Sequence, residues 1–335
     1  MAGVYRDAIA AIPDTRLRMV CGSEIHRARA LANDPAVVAT AQLAQVLESP
    51  DVDAIIIANQ PQHHGAAVDA IRAGKHVLIE KPLAASLDDA KAILEASRAS
   101  TAVISGVFQM RLGQDVACLV DLISNGRIGN LRGIDSIWFE RRSDEYYQAG
   151  DGWRLDQCGG LILNRLIHHI DLMRLLLGEV RSVFASTRCS AVSPMVDVEA
   201  TVVLEFANGQ TGVIRGSDAA GPASMVTVYG DRGTIQLRDG DVYASDDAAA
   251  DTLLPGRKAN LRRALGWGRQ RKRLAPGSAR EQVADFIAAI AGGGRPRVTI
   301  EDSYRALVIA LAAHESAASG CAVDVNTGDA RAVLE

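Results

Sequence analysis

Residues 53–82, which read DAIIIANQPQHHGAAVDAIRAGKHVLIEKP, decide the fold of this chain. Two short runs, Asp53–Ala58 and His76–Ile79, have the continuous apolar character of strands that are buried on both faces of a parallel sheet. A helical segment, His63–Ala73, separates them and ends at Gly74, because glycine is favoured directly after the last turn of a helix. Strand, helix and strand in this order predict a βαβ unit.

The sequence on either side of this unit continues the alternation. Arg16–Cys21 and Ala102–Gly106 have the pattern of strands, whereas Glu24–Asn33 and Ser86–Arg98 have the pattern of helices. Strands that alternate with helices of this length are typical of a doubly wound parallel sheet. We therefore predict an α/β Rossmann-like domain over residues 1–106.

After Gly106 the alternation gives way to a different pattern. Residues 107–335 contain one long apolar helix, Leu161–Leu177, and a succession of short strand-like runs separated by turn sequences such as Asn208-Gly209. We predict an α+β domain with an open antiparallel sheet. Its expected helices are Val116–Ser124, Leu161–Leu177, Glu281–Ile290 and Asp302–Ala318, and its expected strands are Leu131–Glu140, Ser182–Cys189, Glu199–Phe206, Thr211–Arg215, Met225–Tyr229 and Thr234–Leu237.

The composition excludes several classes of protein. The 335 residues include 36 basic and 40 acidic side chains, a net charge of −4, so a globally basic nucleic-acid binder is not expected. No apolar run approaches the roughly 18 residues of a membrane span, and the first residues lack the layout of a signal peptide. The five cysteines are scattered without paired spacing, which predicts neither disulfides nor a metal site and favours the cytoplasm.

The beginning of the chain is unusual for a dinucleotide-binding domain, which opens with a strand, a glycine-rich turn and a helix. Met1-Ala2-Gly3 leads directly into an amphipathic helix, Val4–Ile12, and Gly3 takes the place of the last glycine of G-x-G-x-x-G. This indicates either an ordinary N-terminal helix or a start inside the fingerprint, and the spacing that follows favours the second. We then expect the first strand to be missing and the apolar face of Val4–Ile12 to be exposed.

Candidate chemistry begins at Glu80-Lys81-Pro82, which follows the strand His76–Ile79. Open α/β sheets bind ligands beyond the carboxyl ends of their strands. A lysine at this place can donate a hydrogen bond to a substrate oxygen and relay a proton. Taken alone, Lys81 would be interpreted as a surface lysine at a strand end.

A second group lies on the predicted helix Leu161–Leu177. Asn164, His168 and Asp171 share one helix face because they are three to four residues apart. His168 can act as a general acid or base near neutral pH, Asp171 can fix its tautomer, and Asn164 can orient a hydroxyl group. A lone histidine on an apolar helix is usually structural, but aligned polar groups are costly to bury. Arg165 and His169 point elsewhere and receive no role.

A third group is a loop rich in arginine and aromatic residues. Tyr146, Tyr147, Trp153 and Arg154 supply the stacking and hydrogen-bonding groups that suit a polyhydroxylated ligand. Each of them could equally anchor a solvated loop. We assign these four residues, with Arg111 and Asp171, as candidate substrate contacts.

In combination, these motifs resemble those of the glucose–fructose oxidoreductase / inositol dehydrogenase / MocA (Gfo/Idh/MocA) family. The resemblance rests on Glu80-Lys81-Pro82, on Gly159-Gly160-x-x-x-Asn164-x-x-Ile167-His168-x-x-Asp171 and on the segment Val226–Thr234, and it covers essentially the whole chain. It implies a nicotinamide cofactor on the first domain and a second domain that binds substrate and often forms dimers or tetramers. It also implies Lys81, position 164 and His168 as the catalytic set. Position 164 is usually aspartate in the family, so with Asn164 the proton falls to His168 alone.

The choice of cofactor depends on the turn after Arg16–Cys21. An acidic residue there would bind the ribose hydroxyls of NAD. This chain has Cys21-Gly22-Ser23 followed by Arg27, which removes repulsion against a 2′-phosphate and favours NADP over NAD. The other residues expected to bind the cofactor are Gly3, Ala58, Asn59, Gln60, His63, Glu80 and Lys81.

The sequence thus predicts an NAD(P)-dependent oxidoreductase that moves a hydride to or from a secondary alcohol or ketone of a sugar, cyclitol or sugar derivative. The alternative is a ligand-sensing regulator on the same fold without turnover, which Asn164 and the missing fingerprint favour. We expect a homodimer or homotetramer that forms through the open sheet, with no nucleic-acid or membrane partner. Eight cations between Arg257 and Arg273 indicate either a contact for an anionic ligand or a partner subunit, or a solvated, mobile insertion.

Overall fold

The computed structural model describes residues 1–149, 152–238, 241–246, 270–273 and 277–325. The chain divides into two compact units, one containing residues 1–112 and 277–307 and the other residues 113–276 and 308–335. This division differs from the predicted single boundary after Gly106, because a C-terminal segment returns to the first unit.

The first unit alternates helices and parallel strands. In chain order its N-terminal segment contains α1 (Ala2–Ala10), β1 (Met19–Cys21), α2 (Ile25–Ala32), β2 (Val38–Thr40), α3 (Leu43–Glu48), β3 (Ala54–Ile57), α4 (Ala66–Arg72), β4 (His76–Ile79), α5 (Leu87–Arg98) and β5 (Ile104–Gly106). In this part of the structure β1 pairs with β2, and β3, β4 and β5 form a separate sheet in that order. Every one of these pairs is parallel, which confirms the predicted Rossmann-like architecture.

Local sequence explains where several of these elements begin and end. β4 coincides with the predicted strand His76–Ile79, and its last three residues are buried. Ser86 caps α5, since its hydroxyl accepts a hydrogen bond from the Asp89 backbone N–H at 3.1 Å. Gly74, after α4, has a positive φ of 73° that a side chain would disfavour.

Helix α1 is packed rather than exposed. Its residues Tyr5 and Ala8 belong to one buried apolar cluster with Leu78 of β4 and with Val283 and Phe286. The last two are on α9 (Ala279–Gly292), the helix that returns to the first unit. The expected exposure of the apolar face of this N-terminal helix is therefore wrong, because a C-terminal helix far along the chain covers it.

The second unit is built around one large sheet. Its elements are α6 (Gln114–Ser124), β6 (Leu131–Phe139), α7 (Asp144–Gln148), α8 (Ile167–Leu177), β7 (Val180–Cys189), β8 (Asp197–Phe206), β9 (Thr211–Ser217), β10 (Ala223–Gly230), β11 (Gly233–Arg238), β12 (Asp241–Asp246), β13 (Gln270–Arg273) and β14 (Val323–Asp324), and α10 (Ile300–Ser319) has residues in both units. The strand order is β13-β12-β11-β10-β6-β9-β8-β7-β14. The predicted open antiparallel sheet is confirmed, with β6 and β9 as a parallel pair within it.

The strongly basic segment is only partly within the described residues. Residues 257–269 lie outside them, whereas residues 270–273 form β13 and pair with β12 at one edge of the sheet. The described end of the segment therefore forms a strand. Within the described ranges, no helix has the length and apolar character that crossing a membrane requires.

Candidate active site

The carboxyl ends of β3 and β4 lie side by side in the first unit. Ile57 pairs with Ile79, and the Glu80 backbone N–H donates to the Ile57 carbonyl at 2.9 Å. The segments that follow these strands, Ala58–Gln60 and Glu80–Lys81, are therefore at the same end of the sheet, where such sheets bind ligands. Lys81 is half-buried and is joined to buried Pro82 by a cis peptide bond.

Glu80 holds this end of the sheet together. Its side chain is buried, and its carboxylate accepts hydrogen bonds from the Tyr5 hydroxyl at 2.6 Å and from the Lys81 backbone N–H at 2.8 Å. Burial, together with the neighbouring Glu80 carboxylate, raises the pKa of the Tyr5 phenol. Glu80, which the sequence suggested as a cofactor contact, thus uses its carboxylate to link α1 to the loop that carries Lys81.

The histidine that joins the two strand ends is His64. His64 is buried, with Nδ1 at 2.9 Å from the Leu83 carbonyl oxygen and Nε2 at 3.3 Å from the Asn59 carbonyl oxygen. Burial lowers the pKa of His64, although its backbone acceptors and Glu80 act in the opposite direction. His63, which the sequence suggested, is exposed, and its carbonyl accepts a 3.3 Å hydrogen bond from the Asn59 side chain.

The turn after β1 contains the residues expected to select the cofactor. Gly22 donates its backbone N–H to the Thr40 carbonyl at 3.1 Å, and both Cys21 and Ser23 are exposed. The Arg27 guanidinium lies 3.1 Å from the carboxylate of Glu24, an acidic residue that the sequence interpretation did not weigh.

The residues present in the first unit fit a dinucleotide. No side chain of the described residues caps the beginning of α1, and a Cβ placed on Gly3 would meet nothing within 4 Å. The first backbone N–H groups of a helix carry partial positive charge, so this end suits phosphate groups. A Cβ on Gly22 would approach only Ala28, at 3.8 Å, which leaves room beside the turn for a ribose.

In the second unit, the helix that carries the predicted catalytic motif begins irregularly. Ile162–Leu166 form a π-helical turn in which the Ile167 N–H bonds to the Ile162 carbonyl, and α8 continues from there. Such one-turn insertions occur frequently at functional sites. The Ile162 N–H donates to Asp197 Oδ2 at 2.8 Å, so a buried carboxylate of β8 satisfies this end of the helix.

The glycine pair of the motif permits two close approaches at this helix start. A Cβ on Gly159 would be 2.2 Å from the Arg154 carbonyl oxygen, and a Cβ on Gly160 would be 2.0 Å from Asp197 Oδ1. Neither distance is compatible with a side chain. The two glycines therefore allow the Arg154 backbone and the Asp197 carboxylate to contact the chain directly before the π-turn.

Solvent access along this helix is confined to three polar residues. From Cys158 to Arg174 every residue is buried except Asn164, Arg165 and His168, which are half-buried. The structure thus places two of the predicted catalytic residues in one accessible polar notch on an otherwise buried segment. Arg165, which received no role from the sequence, is the third member.

The other titratable groups of α8 are enclosed. Asp171 is fully buried one turn beyond His168, so its assignment as a substrate contact is wrong, because its carboxylate is enclosed by the protein. His169 is also buried; its Nδ1 lies 2.6 Å from the Ser136 hydroxyl oxygen, and burial lowers the pKa of His169 to about 4. His169 is thus a neutral core histidine, consistent with giving it no catalytic role.

The aromatic loop approaches the notch through Tyr146. Its hydroxyl accepts a long, 3.5 Å hydrogen bond from the Asn164 side-chain amide. Tyr147 is buried and donates to Asp218 at 2.6 Å, so its hydroxyl serves an internal contact. The Arg154 guanidinium stacks over the Trp153 ring at 4.8 Å. Tyr146, Trp153 and Arg154 keep partial solvent access.

Arg111 belongs to the first unit and has a clear structural partner. Its two terminal nitrogens each lie 3.1 Å from an oxygen of Asp302, and its side chain is nearly buried. This two-point ion pair joins the segment after β5 to the start of α10. The residue was suggested as a substrate contact, and its guanidinium instead faces a carboxylate of its own unit.

Comparison with known proteins agrees with this architecture. Residues 3–107 match the model of an oxidoreductase family with an NAD-binding Rossmann fold, and residues 116–236 match the GFO/IDH/MocA C-terminal domain. A 1,5-anhydro-D-fructose reductase of Ensifer adhaerens is 30% identical over 308 residues, which cover 85% of this chain and 83% of that protein. A myo-inositol 2-dehydrogenase of Thermotoga maritima is 29% identical over 283 residues, or 81% of this chain and 79% of the relative.

Solved structures show the same fold. A levoglucosan dehydrogenase in complex with NADH and levoglucosan superimposes with a TM-score of 0.81 at 21% identity, over 97% of this chain and 95% of that chain. The two family matches together span most of the chain and include the Glu80-Lys81-Pro82 loop and the Asn164–His168 notch. The chain therefore belongs to the Gfo/Idh/MocA family of NAD-binding oxidoreductases.

Proposed function

We propose that this protein transfers a hydride between a nicotinamide cofactor and a secondary alcohol or ketone of a sugar, cyclitol or sugar derivative. The observation that carries the proposal is the notch of Asn164, Arg165 and His168, the accessible polar positions on a segment that is otherwise buried. Arg165 has a structural partner in Asp218, whereas packing alone does not require polar side chains at Asn164 and His168, because burying polar groups is costly. Relatives named as a 1,5-anhydro-D-fructose reductase and a myo-inositol 2-dehydrogenase support this substrate class.

The proposed roles follow from the chemistry of three side chains. His168 takes the hydroxyl proton during oxidation and returns it during reduction, since an imidazole changes charge near neutral pH. Lys81 donates a hydrogen bond to the reacting oxygen. Asn164 orients that oxygen but cannot accept a proton. A bound nicotinamide supplies or accepts the hydride. Asp171, enclosed one turn beyond His168, fixes the position of the imidazole.

We propose NADP as the preferred cofactor, with NAD as the alternative. Gly22 leaves the turn after β1 without a side chain, and Ser23 beside it is exposed. Arg27 follows one turn later and supplies positive charge, which Glu24 partly balances. The absence of a carboxylate at position 22 favours the 2′-phosphate, and the uncapped start of α1 suits the pyrophosphate.

We also propose that the protein forms a homodimer or homotetramer through the exposed face of the large sheet. Phe184, Val203 and Val213 pair in a row across β7, β8 and β9 and retain solvent access. Adjacent exposed apolar side chains on a sheet face are typical of protein contacts. Light scattering on the purified protein and on a Phe184→Asp variant tests this directly. The molar mass of the particle in solution is expected to be lower for the variant, because a charge on this face would disfavour assembly.

The function is tested by mixing the protein with NAD or NADP and a panel of polyols and following the reduced nicotinamide by its absorbance. Lys81→Ala and His168→Ala are each expected to lower turnover by about 10²-fold or more, whereas Lys91→Ala, on α5, serves as the matched control for loss of a lysine. Near-parental activity of both Lys81→Ala and His168→Ala on a confirmed substrate would overturn the roles. Binding of cofactor and polyol without any turnover would favour the ligand-sensing alternative.

A further inference from the structure

Three guanidinium groups surround the ring of Tyr146. The central carbons of Arg142, Arg154 and Arg165 lie 4.9, 4.7 and 5.6 Å from its centroid, each within the range of a cation–π contact. They come from three different places: the loop after β6, the 3₁₀ turn Trp153–Leu155 and the π-turn. We call these four residues the Tyr146 cluster.

Two carboxylates compensate part of this charge. Arg142 pairs with Glu140 at 2.8 Å, and Arg165 pairs with buried Asp218 at 3.0 Å. Arg154 donates to the Ala149 carbonyl at 3.2 Å, and among the described residues no carboxylate forms an ion pair with it. Among these three arginines and their two ion-pair partners, the charge of Arg154 is therefore the one that no carboxylate pairs with.

The same guanidinium groups retain hydrogen-bonding capacity. Arg142 Nε, Arg154 Nε and Arg165 Nη2 are shielded from solvent and have no hydrogen-bond acceptor among the described residues. A buried donor without an acceptor costs about 1–3 kcal/mol. The cation–π contacts stabilise this arrangement, whereas the repulsion between like charges and the unsatisfied donors destabilise it, and an anion at this place would relieve both of these costs.

The cluster adjoins the candidate catalytic notch. Tyr146 contacts Asn164 through its hydroxyl, and Arg165 belongs to both groups. From these contacts and charges we infer that the substrate carries an anionic group, a carboxylate or a phosphate, which the Tyr146 cluster binds with Arg154 as its principal contact. The planar guanidinium suits either group, because both offer two oxygens to its parallel N–H donors. This inference rests on the proposed function and narrows its substrate class from polyols to anionic sugar derivatives.

The experiment compares three probes of equal ring structure: D-glucose, D-glucuronate and D-glucose 6-phosphate. Calorimetric titration of the full chain is expected to show about tenfold or tighter binding of at least one anionic probe than of glucose, since one charge-assisted hydrogen bond contributes roughly 1.5–3 kcal/mol. The tighter of the two anionic probes identifies carboxylate or phosphate as the group. Raising the ionic strength from about 0.01 M to about 1 M should weaken the preference by screening.

Variants locate the effect. Arg154→Gln should abolish the preference for the anionic probe, Arg154→Lys should retain part of it because the charge remains, and Arg132→Gln, which removes an exposed arginine paired with Asp231, should leave it unchanged. Circular dichroism melts check that each variant is folded. If Arg154→Gln does not fold, the partial loss of preference expected for Arg154→Lys takes its place as the test. Equal affinity for glucose and both anionic probes, or an unchanged preference in Arg154→Gln, would overturn the inference. Inorganic phosphate or acetate binding as tightly as the sugar anions would also overturn it, because the site would then recognise no sugar.

The two proposals fail separately. Arg154-dependent binding of a sugar anion without nicotinamide turnover would reject the oxidoreductase proposal and keep this one. Turnover of neutral polyols that depends on His168 but not on Arg154 would keep the oxidoreductase proposal and reject the anionic substrate.

Discussion

The Asp197 carboxylate accepts a hydrogen bond from the Ile162 backbone N–H at 2.8 Å, and this contact joins β8 to the start of the helix that carries Asn164 and His168. Asp197 is buried, and burial raises the pKa of its carboxyl group to about 7. His314 of α10 lies 3.7 Å from the other Asp197 oxygen, and burial lowers the pKa of His314 to about 4. Desolvation thus favours the neutral form of both groups.

The stability of the protein should depend on pH through Asp197. In the unfolded chain this carboxyl group loses its proton near its ordinary pKa of 3.8, whereas in the folded protein it keeps the proton up to about pH 7. Between these two pKa values the free energy of unfolding therefore falls by about 1.4 kcal/mol for each unit by which the pH rises. Above the folded-state pKa it falls no further on account of this group. Asp197→Asn keeps an oxygen that can accept from Ile162 and has no proton to lose.

Urea unfolding of the parent and Asp197→Asn at several pH values tests this. The unfolding free energy of Asp197→Asn minus that of the parent should increase between about pH 4 and pH 7 and stay constant above that range. Asp51→Asn, which replaces an exposed carboxylate, is the control, and its unfolding free energy should depend on pH in the same way as that of the parent. Parallel curves for Asp197→Asn and the parent would contradict the prediction.

The glycine pair before the π-turn should tolerate no side chain. In Gly159→Ala the new methyl would lie within 2.6 Å of three backbone atoms of Arg154, which cannot move aside as a flexible side chain can. We expect a loss of about 1–3 kcal/mol or more of unfolding free energy, measured by thermal or urea denaturation. Gly221→Ala, where a Cβ would meet nothing within 4 Å, is the matched control. Equal stability of the two variants would show that the close approach is not required.

Tyr5→Phe should weaken the support of the lysine loop. It removes the 2.6 Å hydrogen bond to the buried Glu80 carboxylate, so that an acceptor loses its donor. The expected cost is about 1–3 kcal/mol of unfolding free energy. Tyr229→Phe removes a comparable bond, from an exposed tyrosine to Asp135 at 3.0 Å, and should have a smaller effect. Calorimetric melts of both variants compare the buried and the exposed hydroxyl within one protein.

Gly22→Asp should move cofactor preference toward NAD. The position has open space beside Ala28, and a carboxylate there would accept hydrogen bonds from ribose hydroxyls and repel a 2′-phosphate. A shift of about tenfold in the ratio of kcat/KM for NAD and NADP corresponds to about 1.4 kcal/mol. Gly294→Asp introduces the same charge at another open glycine and should leave the ratio unchanged. An unaltered ratio in Gly22→Asp would mean that this residue does not face the ribose.

Sequence patterns predicted those parts of the fold that depend on local signals. The run His76–Ile79 became β4 without change, and the helix expected from Ser86 begins at the residue after its serine cap. β2 escaped prediction because it has three residues, one of them the exposed Val38, and no hydrophobic periodicity.

The sequence could predict those site residues whose placement follows from spacing along one helix. It could not predict those whose placement depends on contacts with residues far away in the chain. The spacing of Asn164 and His168 placed both on one face, and the structure leaves both accessible. His64 was passed over in favour of its neighbour His63, because only the fold brings Leu83 and Asn59 to its two ring nitrogens. Arg165 was set aside for the same reason, since its partners Tyr146 and Asp218 are remote in sequence.

Helix α10 limits how this protein can be recombined with its relatives. Residues up to Leu307 belong to the first unit and those from Val308 to the second, so one continuous helix serves two hydrophobic cores. A chimera that exchanges the nucleotide-binding half at a single crossover would leave α9 and the first part of α10 with the wrong parent, and the Tyr5–Phe286 cluster would then combine side chains from two lineages. Keeping each unit from one parent therefore calls for three crossovers, after Leu112, before Gly277 and after Leu307, and the last lies inside a helix, where the register of both cores has to be preserved.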